Sequence, residues 1–440
     1  MINVKFIDFN LDDLKNKIKK YFYNSNLLSL EELKKLESYF DLIAIEYPYK
    51  DIEFSSVYSI YYSKKFKNIS KNTIRLHFFH KGKNLYGGYI VISDSPMESI
   101  SRGVFDIEVI APKGFYVLNI EQKVNFIKEE YKIPTFPWMM QDTDVDVCAH
   151  VAIWALNTYF SYKFPYYRYF TIGEIASITP NYLGRTIPSE GLNVLQMSDL
   201  LLKMNYYPIV LFKEELKEYF FHALYSYLES GFPILVGMNE KEHAITLMGH
   251  GVINDNLPKD KKIIYNSELI SSYLAVDDNY IPFTIIGENG KYKLDDIDYF
   301  LVPLPEKVYL NVNNVYKETE KLINKMNMEE QVIIRIYLTT IRNFKQYIRF
   351  QNNIDNDLKD ILLRIEAPRF IWIADVYNTQ RKIQAKIIFD ATAGEYENEK
   401  WICIINKNRL IVKDSKNNIS EYKVKKLDLT EFNYNLKEIK

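Results

Sequence analysis

The 440-residue sequence predicts an α+β protein built from three domains. The chain is longer than a single hydrophobic core usually organises. Segments with apolar residues at helical spacing are mixed with segments rich in β-branched and aromatic residues. The two prolines of VPLPEK mark the end of a strand and a boundary near residue 304. We therefore predict an N-terminal α+β domain over 1–132, a central domain over 133–304 and a C-terminal α+β domain over 305–440.

The composition excludes several classes of protein. Hydrophobic residues make up 47% of the chain and charged residues 26%, as in folded soluble proteins. The net charge of −1 gives no electrostatic reason to expect nucleic acid or a membrane surface as a partner. No apolar run approaches the roughly 18 residues of a membrane span, and the N-terminus does not resemble a secretion signal. The two cysteines, Cys148 and Cys403, show no disulfide pattern, so we expect a reducing, cytoplasmic location.

The sequence of the flanking domains predicts helices and strands but contains no motif typical of a catalytic or metal-binding site. In the N-terminal domain we predict a helix over 11–23 and a second helix behind a capping box of Ser29 and Glu32. Strands follow at 55–66, 73–80, 84–93 and 103–111. His77 and His80 are three apart on one predicted strand, so they face opposite sides and cannot form a metal pair. In the C-terminal domain, Cys403 in the strand WICIIN is predicted to be a buried core residue.

The central domain contains the stretch QDTDVDVCAHVAIWALNTY, over 141–159. Cys148 follows Gln141 by seven residues and opens an apolar helix, one face of which is predicted to pack inward. Asp146 is a plausible N-cap, which leaves Cys148 in the first turn. The helix dipole there favours a thiolate, but the carboxylates of Asp144 and Asp146 oppose it. The thiol therefore needs a base elsewhere in the chain.

A histidine and two acids follow at strand ends. His243 begins the strand HAITLMGHG, and Asp277 and Asp278 close the later strand SSYLAVDD. If these strands pair, a carboxylate reaches the imidazole, and the imidazole takes the thiol proton. The Cys148 N–H and the Gln141 amide are then predicted to hold the oxyanion of a tetrahedral intermediate. Alternation along the strand favours Asp278 over Asp277 as the orienting acid.

These residues resemble a known family. The run Q-x6-C-A-H, the segment IPSEGL before a helix, the pair GFPILVGM and EHAITLMGHG, and the ending VDDN resemble the papain-like cysteine peptidase superfamily. The most similar branch is the bacterial double-glycine (bacteriocin-processing) peptidase-like group, and the resemblance covers about 135–285. It implies a nucleophile helix packed on an antiparallel sheet, with no cofactor or metal. It also implies that Cys148 is the nucleophile, His243 the base, Gln141 the oxyanion donor, and Asp277 or Asp278 the acid.

The chain departs from the family pattern at three places. The spacing from Gln141 to Cys148 is one residue longer than usual, Ala149 stands where glycine is usual, and Asn279 stands where proline usually follows the acid. These differences concern the substrate and the geometry of the pocket more than the chemistry.

Two other histidines compete for a role at the site. His150 lies two residues after Cys148, about 200° round the same helix, and so faces away from the thiol. His250 is at an odd offset from His243, on the opposite face of the strand. We predict that both are structural. A zinc site from Cys148, His150 and His243 lacks a second cysteine and is disfavoured.

The sequence thus predicts a cytoplasmic cysteine protease-like hydrolase that cleaves an amide bond of a peptide or protein through a thioester. The alternatives are an amidase or acyl transferase of the same fold, or a non-catalytic scaffold with a degenerate peptidase core. The flanking domains are expected to select the substrate or to bind a regulatory protein partner.

Overall fold

The structure, a computed structural model, describes residues 3–82, 85–181, 184, 187, 191–254, 256–326, 330–394, 396–397, 399–407, 409–423, 430–432 and 435–440. Within these ranges, helices combine with sheets whose strands pair mostly antiparallel. The prediction of a protein that mixes helices with antiparallel sheets is confirmed. None of the helices in these ranges has both the length and the apolar character needed to cross a bilayer.

The first part of the chain forms a sheet covered by short helices. Its strands are β1 Asn3–Asp8, β2 Phe40–Tyr49, β3 Thr73–His80, β4 Tyr86–Ile92, β5 Ile100–Phe105, β6 Phe115–Val117, β7 Ile120–Phe126, β8 Glu129–Thr135 and β9 Trp138–Met139. Its helices are α1 Leu11–Ile18, α2 Ile52–Ile60 and α3 Ile107–Ile110, with 3-10 helices at Ser29–Ser38 and Tyr62–Lys64. The sheet has the order β1-β2-β3-β4-β5-β9, and β7 and β8 form a separate ribbon.

Three predictions for this part are wrong. The strand predicted over 103–111 ends at Phe105, and Ile107–Ile110 form α3, which Asp106 caps by accepting a hydrogen bond from the backbone N–H of Glu108. The segment 55–66, predicted as a strand, is divided between α2 and the 3-10 helix at Tyr62–Lys64. Asp51 caps α2 by accepting hydrogen bonds from the backbone N–H groups of Glu53 and Phe54, and this cap outweighs the β propensity of the segment. The stretch after Leu28 is a 3-10 helix without a side-chain cap, so the predicted capping box of Ser29 does not form.

The middle of the chain forms a second sheet with helices packed on it. The helices are α4 Cys148–Lys163, α5 Ile172–Ile178, α6 Val194–Lys203, α7 Lys213–Leu216 and α8 Tyr219–Glu229. The strands are β10 Tyr207–Phe212, β11 Ile234–Met238, β12 His243–Gly251, β13 Ile263–Tyr265, β14 Ser272–Val276, β15 Thr284–Gly287 and β16 Tyr299–Leu304. The sheet order is β10-β16-β11-β12-β14-β15, and β6 also pairs with the end of β12.

Helix α4 packs on β12 and is buried all round. Every residue from Ala149 to Phe160 is buried, whereas the sequence suggested a single buried face. The segment 213–230 has the apolar spacing of one long helix, but the structure divides it into α7 and α8, because Lys217 adopts a positive φ of 52°. In TIGEIASI, over 171–178, Thr171 with Glu174 three residues later is the sequence pattern of a capping box, and it forms at the start of α5, where the two side chains bond to each other's backbone N–H groups.

The last part of the chain forms a third sheet. Its helices are α9 Val312–Lys325, α10 Ile341–Phe350 and α11 Asn356–Arg364. Its strands are β17 Val332–Thr340, β18 Phe370–Asn378, β19 Ile383–Asp390, β20 Trp401–Asn406, β21 Arg409–Lys413, β22 Ile419–Lys423 and β23 Lys437–Glu438. The order is β13-β17-β18-β19-β20-β21-β22, while β23 pairs with β6 beside the middle sheet. Cys403 in β20 is fully buried, as predicted.

A buried group of charged side chains joins the middle and last sheets. Glu229 of α8 accepts hydrogen bonds from Nε and Nη2 of Arg335 on β17, at 3.0 and 2.5 Å. Its other oxygen lies 2.9 Å from Nε2 of His250. Lys386 binds Asp375 at 2.6 Å one strand further on. One hydrophobic cluster also runs without interruption through residues of all three parts of the chain.

Candidate active site

The thiol of Cys148 lies at the N-terminal end of α4. The helix begins at Cys148 and Val147 is its N-cap, so the prediction that Asp146 caps the helix is wrong. The side chain of Asp146 instead accepts a hydrogen bond from the backbone N–H of Asp142, at 2.7 Å. The backbone N–H of Val147 donates to Nδ1 of His150 at 3.2 Å. Cys148 is in the first turn, as predicted, where N–H groups without an intrahelical acceptor favour an anion.

The acidic loop before α4 is held by the first part of the chain. Asp144 forms an ion pair with Lys65 at 2.8 Å. Asp142 accepts a hydrogen bond from the hydroxyl of Tyr62, at 2.7 Å. Burial raises the pKa of Asp146 well above its usual range, and the charge of Asp142 adds to the effect. Because Asp144 is ion-paired and the raised pKa of Asp146 favours its uncharged form, these acids oppose a thiolate less than the sequence suggested.

The imidazole of His243 and the carboxylate of Asp277 form a hydrogen-bonded pair. β12 and β14 are antiparallel neighbours, and this pairing brings the end of β14 to the first residue of β12. Nε2 of His243 lies 3.1 Å from Oδ1 of Asp277. The same oxygen accepts the backbone N–H of Asn279 at 3.0 Å, and Oδ2 accepts the hydroxyl of Tyr292 at 2.9 Å. Asp277 therefore has a donor on each oxygen and a fixed orientation.

Asp278 contacts the imidazole at a longer distance. Its Oδ1 lies 3.7 Å from Nε2 of His243, and neither of its oxygens has a hydrogen-bond partner among the residues described. The geometry therefore reverses the predicted preference for Asp278 over Asp277. The reason is that β14 ends at Val276, so the alternation of faces does not continue through the two acids.

Gln141 lies at the same site, bonded to the turn that follows β14. Its Nε2 donates to Oδ1 of Asn279 at 2.9 Å, and its backbone N–H donates to the carbonyl of Asp278 at 3.4 Å. Nδ2 of Asn279 lies 3.4 Å from Nε2 of His243. Since Nε2 donates its hydrogen to Asp277, this last contact is one of packing. Asn279 thus touches both Gln141 and His243.

The surroundings of His243 stabilise its charged form. Burial lowers the pKa of His243, but hydrogen bonds to Asp277 and Cys148 and the charges of the two aspartates outweigh burial and raise the pKa to about 10. For Asp277, burial raises the pKa, but the hydrogen bond and charge of His243 dominate and lower it. The site therefore favours an imidazolium between a carboxylate and the thiol of Cys148.

The competing histidines have other partners, as predicted. His150 is buried, and its Nε2 lies 2.9 Å from Oγ1 of Thr179. Burial lowers the pKa of His150 to about 4, so the ring is neutral and its Nδ1 can accept the backbone N–H of Val147 at the start of α4. His250 belongs to the buried group around Glu229. Neither ring takes part in the hydrogen bonds of the Cys148 site.

A cleft of about 570 Å³ opens beside Cys148 and His243, and Gln141 and Asn279 also line it. Volumes of this size accommodate small ligands or a short peptide segment. His243, Asp277 and Asp278 bring three potential metal-ligand atoms within 4.8 Å of one another. We assign no metal to them, because Nε2 of His243 and both oxygens of Asp277 are engaged in hydrogen bonds.

Three residues of the site have no functional assignment from the sequence. Nε1 of Trp138 donates to the carbonyl of Tyr280 at 2.9 Å and so holds the turn that carries the acids. Tyr292 binds Asp277 from a distant position for which no spacing rule exists. Asn279 was visible only as a departure from a family pattern. In the segment IPSEGL, over 187–192, residues 188–190 lie outside the described residues.

Comparison of the chain with protein-family models, curated proteins and solved structures gives no match. The case for a function therefore depends on the residues and geometry described above.

Proposed function

We propose that this protein is a papain-like cysteine hydrolase that cleaves an amide bond of a peptide or protein. The observation that carries the proposal is that Cys148, at the start of α4, and His243, whose Nε2 is held by Asp277, line the same cleft. The packing of α4 on an antiparallel sheet is the arrangement that such a core requires. A reducing, cytoplasmic location belongs to the proposal, because the reaction needs a free thiol.

The reaction begins with transfer of the thiol proton from Cys148 to His243. The thiolate attacks the amide carbon, and the carbonyl oxygen becomes an oxyanion. The backbone N–H of Cys148 and the side-chain amide of Gln141 donate hydrogen bonds to this oxyanion. The imidazolium then gives its proton to the leaving amine, the C–N bond breaks, and a thioester remains on the sulfur.

Hydrolysis of the thioester requires the neutral imidazole. His243 takes a proton from water, the hydroxide attacks the thioester carbon, and the C–S bond breaks to release an acid and the thiolate. Asp277 keeps Nε2 protonated and the ring oriented through both steps. An amine that enters the cleft in place of water would give acyl transfer instead.

The proposal is tested first by the reactivity of the two cysteines. We expect iodoacetamide at pH 6 to label Cys148 well ahead of Cys403, which burial makes inert by raising its pKa. Cys148→Ser is the matched control, and it should abolish labelling at this site and leave the fold unchanged. If Cys148 reacts no faster than a free thiol peptide at pH 6, the site has no activated nucleophile and the proposal fails.

The substrate class is tested by comparing the protein termini in cells that contain the wild type or Cys148→Ala. New termini that need Cys148 would establish peptide-bond cleavage. Adducts between an acyl group and an amine that need Cys148 would establish acyl transfer. Partner proteins captured equally well by both forms, without either product, would identify a scaffold.

A further inference from the structure

Asp278 is a buried carboxyl group whose charge the site does not balance. Its side chain is 2% exposed, and neither oxygen receives a hydrogen bond from any residue described. The adjacent Asp277 is also buried but accepts three hydrogen bonds. Because an ionised carboxylate without donors is costly to bury, the two acids cannot be equivalent.

The charges around Asp278 explain how they differ. The active form of the site already holds a thiolate on Cys148, an imidazolium on His243 and a carboxylate on Asp277. A second ionised acid would leave three negative charges against one positive charge. Because Asp277 and Asp278 lie beside the same imidazolium, ionisation of one carboxyl group raises the pKa of the other, and the two lose their protons one after the other. Asp277, which has the donors, ionises first, and the proton remains on Asp278.

The titration of Asp278 agrees with this order. Burial raises the pKa of Asp278 to about 7; the positive charge of His243 opposes this shift, and the negative charge of Asp277 supports it. The other titratable groups that face Asp278 are Cys148 on α4, Asp146 before α4, and Tyr292 beyond β15. Burial raises the pKa of both Asp146 and Tyr292, which favours the uncharged form of each.

We propose that Asp278 is a positioning residue that controls the proton on His243. Asp278 is neutral in the resting site, and when it ionises it holds the imidazole in its charged form. The distance of 3.7 Å between Oδ1 and Nε2 is short enough for this charge to act directly on the ring. This inference rests on the proposed function, because it assigns a role within the same cysteine and histidine pair.

The proton on His243 affects the two halves of the reaction differently. Formation of the thioester uses the imidazolium as the acid for the leaving amine. Hydrolysis uses the neutral imidazole as the base for water. Ionised Asp278 therefore delays hydrolysis without removing the thiolate, and neutral Asp278 lets His243 release its proton. The thioester should consequently live longer as the pH rises through neutrality.

The test is the pH profile of iodoacetamide alkylation of Cys148 in the full chain, which needs no substrate. In the wild type the upper ionisation of this profile belongs to His243. Asp278→Asn and Asp278→Ala remove one nearby negative charge, and we expect the upper ionisation to fall by about one to three pH units. Asp278→Ala also serves if the asparagine variant does not fold. A residue with only a structural role would not move this ionisation.

Infrared spectroscopy gives a second, independent measurement. At pH 6 the spectrum of the wild type minus that of either Asp278 variant should show the C=O stretch of a buried protonated carboxylic acid, because the other buried acids, such as Asp146, are common to all three proteins and cancel. Alkylation profiles that coincide with the wild type, or the absence of this band from the difference spectra, would overturn the proposal. If Cys148 proves no more reactive than an ordinary thiol, the proposed function fails, while the infrared band still decides whether Asp278 holds the proton.

Discussion

Asp277→Asn is the most informative single change in the Cys148 site. The substitution keeps the size of the side chain but removes its charge and replaces one acceptor oxygen by an N–H donor. Both oxygens of Asp277 receive donors, from His243, Asn279 and Tyr292. The amide oxygen can face His243 and Asn279 only if the NH2 group turns to Tyr292, whose hydroxyl must then accept; the opposite orientation places a donor against the imidazole N–H. In both orientations the imidazole loses the negative charge that holds it.

The size of the effect follows from the environment of His243. Its pKa rises from the usual 6.5 to about 10. A shift of this size corresponds to roughly 5 kcal/mol in favour of the charged ring, shared among Asp277, Cys148 and Asp278 and net of the opposing effect of burial. Loss of the share due to Asp277, together with a misplaced ring, should lower kcat by about 10²–10⁴. Thiolate formation at acid pH should weaken as well.

The assay compares kcat and the alkylation profile of Cys148 in matched variants whose thermal unfolding is also measured. Tyr292→Phe removes one hydrogen bond from the same carboxylate and keeps its charge. Its loss should be close to 1 kcal/mol, about fivefold in rate. The reasoning is refuted if Asp277→Asn stays within tenfold of the wild type while Asp278→Asn loses more, because Asp278 would then orient the ring.

Further variants test the rest of the site and one part of the core. Gln141→Ala should leave labelling of Cys148 unchanged and reduce kcat by about 10²–10³, as expected for a lost oxyanion donor; an unchanged kcat would remove Gln141 from the site. Asn279→Ala should reduce kcat when introduced into the wild type but should not reduce it further when introduced into Gln141→Ala. If the double variant instead shows the product of the two single losses in kcat, Asn279 does not act through Gln141. The last prediction concerns the buried carboxylate of Glu229, away from the active site. Burial raises the pKa of Glu229, but the charge of Arg335 and the hydrogen bond and charge of His250 outweigh burial and lower the pKa from 4.5 to about 2. The ionised Glu229 contributes its full share of the free energy of unfolding above pH 4.5, and this share, roughly 3 kcal/mol, should be lost as the pH falls towards 2. Denaturation curves of the wild type should show this loss, and those of Glu229→Gln should not.

The sequence predicted best the elements whose signals are local. The start of α5 at Thr171 and the strand that begins at His243 follow from capping and β-propensity patterns that a short window contains. The order of Gln141, Cys148 and His243 along the chain predicted residues that the structure brings together, although their catalytic roles stay a prediction. The segment 55–66 was misassigned because Asp51, which caps its helix, lies outside the segment, and because Glu53 in the first turn also accepts a hydrogen bond from the distant Ile172 N–H.

The choice of acid and the support around it could not be predicted, for a related reason. Alternation decides which face a residue occupies only while the strand lasts, and β14 stops one residue before Asp277. The contacts of Trp138 and Tyr292 join positions that are far apart in sequence. The pairing of β23 with β6 likewise joins the C-terminal segment to residues 115–117 of the predicted N-terminal domain, and no boundary drawn from composition would anticipate it.

The attachment of the acidic loop to Tyr62 and Lys65 has a thermodynamic consequence. Tyr62 and Lys65 hold Asp142 and Asp144, and Gln141 directly precedes this pair. Any molecule that stabilises the segment around Tyr62 in this conformation also stabilises the glutamine, and a substrate that tightens the glutamine stabilises the segment by the same factor. Hydrogen exchange of the backbone amides around Tyr62 should therefore slow when substrate is added. The extent of slowing would measure how much the bound substrate stabilises the loop that carries Gln141.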